Sequence, residues 1–489
     1  MSSPIAPKKR NSTSFKWLIL VGIAAIILFF LLREDSEQMM VWHTAELTEE
    51  FTEKKLGTIY SWEQYMRLED RLFAELEQKV VAQTDTGKGF ELNRYSEGSG
   101  TNPLSSVPNW NRSFELPADD PVGGLLLLHG MSDSPYSLRA LGETFHKRGY
   151  WVIGIRLPGH GTAPSGLTDL SWKDMAGAVQ LATDHIKAKT AGRPLHIIGY
   201  STGAPLALDY TFDALKGKIS PLPSSLILIS PAIGIHPAAG LAGFKDQLSA
   251  FPGLDHLAWL SVQPEFDPYK YNSFATNAGN QVHLITRDVA RRLTDWSRKN
   301  DPNKFPPVLT FQSAVDATVS VNAVLDQLLI PLNSENHELV LFDINRFAAK
   351  SALLVSDPGP LTTRLMAEKD LPFRLTLVTN KDPESLAVVA KSKPPFSSSH
   401  DAMSFLNHRW PEGVISLSHV ALPFPPDDPL YGSKPPSEGS IAFLGQMAIK
   451  GERDLLRIPY DWLLRLRHNP FYDFLEQRAI EWVETTDDH

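Results

Sequence analysis

The stretch Leu195-His196-Ile197-Ile198-Gly199-Tyr200-Ser201-Thr202-Gly203-Ala204-Pro205-Leu206-Ala207 constrains the fold more than any other. An apolar run enters Gly-Tyr-Ser-Thr-Gly, and a small-residue, helix-competent segment follows with no loop between them. That order predicts strand, sharp turn, helix. A turn so tight puts Ser201 at positive φ, and strand and helix can close on each other only if the positions two either side carry almost no side chain. Gly199 and Gly203 meet that need. The serine is then held out at the end of a strand, at the N-terminus of a helix whose free N–H groups favour negative charge.

The surroundings repeat the same grammar. Gly123–Leu128, Trp151–Ile155, Leu226–Ile229, Val308–Phe311 and Leu339–Phe342 are apolar runs of strand length, and helical segments separate several of them: Ser137 to Arg148, and Ser171, with Asp174 three positions on, to Gly192. Apolar strands alternating with such helices predict an α/β fold with a mostly parallel sheet covered by helices on both faces. Two short alternating segments, Phe90–Asn93 and Arg112–Leu116, predict leading edge strands. Gly413–Leu417 predicts a late return to the sheet. Asn469-Pro470 predicts the start of a closing helix.

A serine hydroxyl is a poor nucleophile until a base takes its proton, and the base needs an acid to fix its tautomer and stabilise its cation. In an open parallel sheet such groups gather at the carboxyl ends of strands. Asp316 follows Val308–Phe311, and His419 follows Gly413–Leu417, so Ser201, Asp316 and His419 stand in the order this fold expects. Asp343 also ends a strand and is the alternative acid. His337, His400, His408 and His468 fall in segments that read as loop, insertion or helix. Donors for an oxyanion would be the N–H of Thr202, supplied by the elbow, and that of Met131, in the turn His129-Gly130-Met131. His129 and His160 read as structural residues orienting their loops.

The chain divides accordingly. Residues 1–16 carry Lys8, Lys9, Arg10 and Lys16; residues 17–32 are an uninterrupted apolar run; Arg33 and acidic residues follow. The run is shorter than the ~20 residues of a comfortable span, but Lys16 and Arg33 can snorkel, so it reads as a single-pass membrane anchor, with a cleaved signal peptide as its rival. The basic side would stay in the cytoplasm and place everything after Arg33 outside it, on the periplasmic side in a bacterium. Residues 33–89 read as a helical stalk or linker, or a helix packed on the catalytic domain, with Ser61-Trp62-Glu63-Gln64 as a capping box. Residues 90–489 form the catalytic domain, interrupted by a cap at about 232–305 and a second insertion at about 346–411.

Composition removes other classes. The 489 residues are 42% hydrophobic, enough to bury a large core, and the net charge of −9 without a basic run beyond the N-terminus argues against a nucleic-acid surface. Cysteine is absent, so there is no thiolate nucleophile or cysteine-ligated metal, and no spaced His and carboxylate cluster calls for a metal or other cofactor.

His129-Gly130-Met131, Leu157-Pro158-Gly159-His160-Gly161, Gly199-Tyr200-Ser201-Thr202-Gly203, Asp316 with Val319, and His419-Val420 together resemble the serine α/β-hydrolase superfamily, nearest its monoacylglycerol lipase and lysophospholipase branch, often grouped with serine aminopeptidases. The resemblance implies Ser201 as nucleophile, Asp316 as acid, His419 as base, Met131 and Thr202 as oxyanion donors, and a cap over the pocket. The wide gap between Asp316 and His419 and the apolar N-terminal run depart from that branch, and both bear on the substrate rather than the reaction. The expected activity is hydrolysis of a carboxylic ester with a lipid-like acyl group, such as a monoacylglycerol or lysophospholipid. Amide hydrolysis of the aminopeptidase type and a non-catalytic binding role are the alternatives.

Overall fold

The computed structural model describes residues 38–105, 108–234, 255–299, 301–316, 318–348, 357–401, 403–435, 443–445 and 466–487. Twelve strands are formed among them: β1 Phe114–Leu116, β2 Gly124–Leu128, β3 Trp151–Ile155, β4 Leu195–Tyr200, β5 Ser225–Ile229, a small hairpin of β6 Trp259–Ser261 and β7 Phe274–Ala275, β8 Val308–Ser313, β9 Glu338–Phe342, β10 Arg374–Asn380, β11 Ala387–Lys393 and β12 Ser404–Arg409. All but the hairpin make one ten-stranded sheet in the order β1-β3-β2-β4-β5-β8-β9-β10-β11-β12. From β3 to β10 every pairing is parallel, whereas β1, β11 and β12 are antiparallel to their neighbours.

Because side chains alternate along a strand, each strand feeds two cores. Leu126, Leu128, Ile197, Leu226 and Leu228 face a core with the helices Trp172–Lys189, Gly203–Leu215 and Thr276–Lys299. Leu125, Leu127, Ile198, Ile227 and Ile229 face the other, with Leu141 and Phe145 of Arg139–His146 and Leu475 and Val483 of Tyr472–Asp487. Such two-sided cover is why the central strands are apolar throughout. Local signals behave as chemistry requires: Ser171 and Asp174 form a reciprocal capping box. At Trp62–Lys79, Ser61 accepts from Gln64 N, while the Gln64 side chain reaches Tyr60 N instead of Ser61.

Several expectations are corrected. Of the two readings of residues 33–89, the packed helix holds and the stalk does not: Phe51, Trp62, Tyr65 and Leu68 are buried in the main core, and Phe73, Leu76 and Val80 pack with Trp42 and Tyr95. Its apolar stripe is thus matched by the sheet's own helical layer. The 346–411 span is no excursion from the sheet, since β10, β11 and β12 extend its far edge. Phe90–Asn93 is a turn, and Gly413–Leu417 joins no ladder. The latter runs across strand ends, with Asn345 N donating to Ile415 O, the Asn345 side chain to Val414 O, and Ser313 Oγ to Leu417 O. Within the 232–305 span, Thr276–Lys299 belongs to the layer covering the sheet, with Ile285, Val289 and Leu293 buried. Residues 17–32 lie outside the described residues, among which no helix is long and apolar enough to cross a membrane.

Packing of the N-terminal helix has an energetic consequence. Leu68→Ala, at 3% exposure, is expected to lower the unfolding free energy by about 2–5 kcal/mol. Tyr60→Ala, at 74% exposure, should change it by no more than about 0.5 kcal/mol. Urea unfolding of the two variants measures both.

Candidate active site

Ser201 sits at the junction of β4 and the helix Gly203–Leu215, with φ of 52°. Its N–H donates to Ile229 O, and its own carbonyl accepts from Ala204 N and Ala232 N. The two glycines are steric necessities. A Cβ at Gly199 would lie 2.6 Å from Gly203 O, and one at Gly203 would lie 2.0 Å from Leu128 O. No atoms can occupy those positions, so the close crossing of strand and helix exists only with hydrogen there.

Asp316 follows β8, and its side chain is fully buried. One carboxylate oxygen accepts from Thr318 N at 2.8 Å and Val319 N at 2.9 Å; the other accepts from Gln312 Nε2 at 2.9 Å and meets His419 Nδ1 at 2.9 Å. Burial pushes this carboxyl upward, but the hydrogen bond and charge of His419 and the Val319 and Thr318 N–H groups outweigh it, so its pKa lies below the ordinary value. The carboxylate therefore stays ionised until the pH falls through that lowered value. A carboxylate at Nδ1 places the imidazole proton there and leaves Nε2 free to accept; Nε2 stands 3.0 Å from Ser201 Oγ. Residues 201, 316 and 419 are thus joined by two hydrogen bonds, although His419 and Asp316 are 103 positions apart.

Asp343, the alternative acid, is committed elsewhere. Arg346 engages both its oxygens, at 2.7 and 2.9 Å, and Thr379 Oγ1 and Ile344 N complete its shell. His419 begins a short 3₁₀ turn in a strap that no ladder holds. Instead, Ser418 Oγ donates to Leu466 O, Asn469 N to Phe424 O, and Asp428 accepts from Arg139, Tyr136, Leu430 N and Tyr431 N. Tyr431 in turn donates to Asp267. These clamps are polar and tertiary, and no sequence pattern marks them.

The turn His129-Gly130-Met131 lies against the elbow: a Cβ at Gly130 would come within 3.1 Å of Ser201 Cβ and 2.8 Å of Asp133 Oδ2. Thr202 precedes the first residue of the elbow helix, so its N–H is among those the helix leaves unpaired. His129 is fully buried, with Nδ1 at 2.9 Å from Gly130 O and Nε2 accepting from Leu157 N at 3.0 Å. Burial and the neighbouring His160 hold its pKa well below the ordinary value, so it is neutral. His160, with Nδ1 on Pro158 O, is lowered to about 4 by burial. Beside the turn, Asp133 pairs with the half-buried Lys270 at 3.2 and 3.3 Å, a pair that the sequence did not signal. Asp316 also borders an open groove of about 980 Å³ lined by Gly234, His283, Arg287, Ser320 and Asp357. Among the described residues, no group of three or more His, Cys, Asp or Glu side chains is placed to hold a metal ion.

Residues 119–343 match the sequence family described as serine aminopeptidase, S33. The match covers less than half of the chain, whose described residues have the α/β-hydrolase fold. Two curated relatives are similar to part of the chain. The thermostable monoacylglycerol lipase of Bacillus sp. (strain H-257) is 31% identical over 120 residues, 24% of this chain and 45% of that protein. Phospholipase YtpA of Bacillus subtilis (strain 168) is 29% identical over 119 residues, 24% of this chain and 44% of that protein. The chain therefore aligns with less than half the length of either. Among solved structures, one of two metagenome-derived lipolytic enzymes is 21% identical with a TM-score of 0.37, over 47% of this chain and 87% of that one. The monoacylglycerol lipase of Paleococcus ferrophilus is 15% identical with a TM-score of 0.36, over 47% and 88%.

The elbow makes a steric prediction. Gly203→Ala must displace the helix from β2 and is expected to cost at least about 1–3 kcal/mol. Gly57→Ala, which meets nothing within 4 Å, should be close to neutral. Thermal unfolding of the two variants checks the contrast.

Proposed function

We propose that this chain is a serine hydrolase cleaving carboxylic esters through an acyl-enzyme. The observation that carries the reading is the continuous hydrogen-bonded path Ser201–His419–Asp316 at 3.0 and 2.9 Å. His419 Nε2 takes the hydroxyl proton as Ser201 Oγ attacks the ester carbonyl, while Asp316 holds Nδ1–H and stabilises the imidazolium. The oxyanion of the tetrahedral intermediate is received by the N–H groups of Met131 and Thr202, helped by the positive end of the elbow helix. Collapse expels the alcohol, which takes its proton from His419. Water then repeats the sequence on the acyl-enzyme, with His419 again as base, and releases the acid.

The substrates we propose are lipid-like acyl esters of the monoacylglycerol or lysophospholipid kind. The names of the two relatives, a monoacylglycerol lipase and a phospholipase, support this class. The N-terminal run, residues 17–32, would anchor the enzyme in a membrane with its catalytic domain outside the cytoplasm, where such amphiphiles are held. The serine aminopeptidase description of the family keeps amide hydrolysis as the second reading.

In a purified sample, Ser201→Ala is expected to stay folded and to lose ester turnover by about 10⁴-fold or more; near-normal turnover would place the nucleophile elsewhere. Turnover of aminoacyl amides with none of acyl esters would favour the second reading. Asp316→Asn should lower kcat by about 10⁴-fold, through the wrong imidazole tautomer. Asp343→Asn should leave kcat nearly unchanged, since it faces Arg346 and Thr379. Steady-state kinetics on a monoacylglycerol distinguish the two carboxylates.

A further inference from the structure

Residues 41–83 precede the region shared with the family, yet they supply the partners of a buried cation beside the site. Arg156, one residue past the end of β3, is 1% exposed. A guanidinium so deep must be fully paired. Its Nη2 and Nη1 each donate to a different Glu50 oxygen at 2.9 Å, and its Nε donates to Glu69 Oε2 at 3.0 Å. Glu69 lies on Trp62–Lys79 and is fully buried. Nη1 also donates to His160 O at 3.1 Å, while Tyr65 donates to Arg156 O at 2.7 Å. Glu50 takes a further bond from Gly159 N at 2.8 Å. The loop from Leu157 to His160 is therefore bound at its backbone by the N-terminal segment.

That loop controls a donor. Leu157 N–H donates to His129 Nε2, which leaves the imidazole proton on Nδ1, where it donates to Gly130 O. Gly130 C=O and Met131 N–H belong to one peptide unit, and a peptide unit is planar. Holding the carbonyl oxygen therefore fixes the direction of the Met131 N–H.

We infer that Glu50 is a positioning residue for the Met131 oxyanion donor, acting through Arg156, the Leu157–His160 loop and His129. The N-terminal segment is then a working part of the site as well as a connection to the apolar run. The inference rests on the oxyanion role proposed above for Met131. Misdirecting one donor removes stabilisation that exists only in the transition state, so kcat should fall while KM stays.

The test uses the full chain and a p-nitrophenyl acyl ester, with a trifluoromethyl ketone as a mimic of the tetrahedral oxyanion. Glu50→Ala is expected to lower kcat by about 10–100-fold, to change KM by less than about threefold, and to weaken ketone binding in parallel with kcat. Glu50→Gln, which keeps the shape and an acceptor but loses the charge, should fall between Glu50→Ala and wild type. Arg71→Ala, which breaks the exposed pair with Glu49 on the same segment, should leave all three quantities unchanged. Assays are made below the unfolding temperature of each variant. If Glu50→Ala does not fold, Glu50→Gln alone decides. Wild-type kcat and ketone affinity in the folded Glu50 variants, or a rise in KM alone, would overturn the inference. Absence of Ser201-dependent ester turnover in the wild type would instead overturn the proposed function.

Discussion

The close approach of the Gly203 α-carbon to the Leu128 carbonyl sets the geometry of everything nearby. It lets the elbow helix start directly on the strand end and forces Ser201 to positive φ. The parallel ladder of β2 and β4 sets Leu128 opposite Gly199, so the turn leaving β2 must pass the elbow. Gly130 in that turn is correspondingly tight against Ser201. Ser201 and the His129–Met131 turn are thus placed by one steric condition, and neither depends on a flexible side chain finding its position.

Asp316 and His419 are placed differently. Asp316 is rigid because two backbone N–H groups and Gln312 satisfy it from its own loop. His419 arrives on a strap that crosses strand ends and belongs to no ladder. Its position depends on buried polar clamps, above all Asp428 with Arg139 and Tyr136, and Asp267 with Tyr431. Clamps of this kind are costly to break from one side, because the remaining charge is stranded in a low dielectric. The same rule governs Arg156, which ties the segment before the family region to the loop behind His129. Buried charge thus joins remote segments of chain to the site, and apolar packing supplies the frame.

Asp316 and Asp343 show how far a strand-end rule reaches. Both follow apolar strands and both are well satisfied, yet one faces an imidazole and the other a guanidinium. Strand order separates them: β8 lies one strand nearer the elbow than β9.

Sequence alone determined the central strands, the elbow, the grouping of Ser201, Asp316 and His419, and the His129–Met131 turn beside them. Each rests on local rules: apolar runs of strand length, glycines where a side chain cannot fit, and polar residues directly after strands. Tertiary structure decided the rest. The stripe on Trp62–Lys79 could have faced solvent partners or a core, and only the sheet's helical layer shows which. The polarity of β12 hid the sheet edge within an apparent insertion, because an edge strand left largely exposed needs no apolar run. Gly413–Leu417 has the composition of a strand, but its hydrogen bonds go to Asn345 and Ser313. Pairings such as Glu50 with Arg156 span 106 positions, and no local rule reaches that distance. They exist because a buried charge takes whatever counter-charge the fold brings to it.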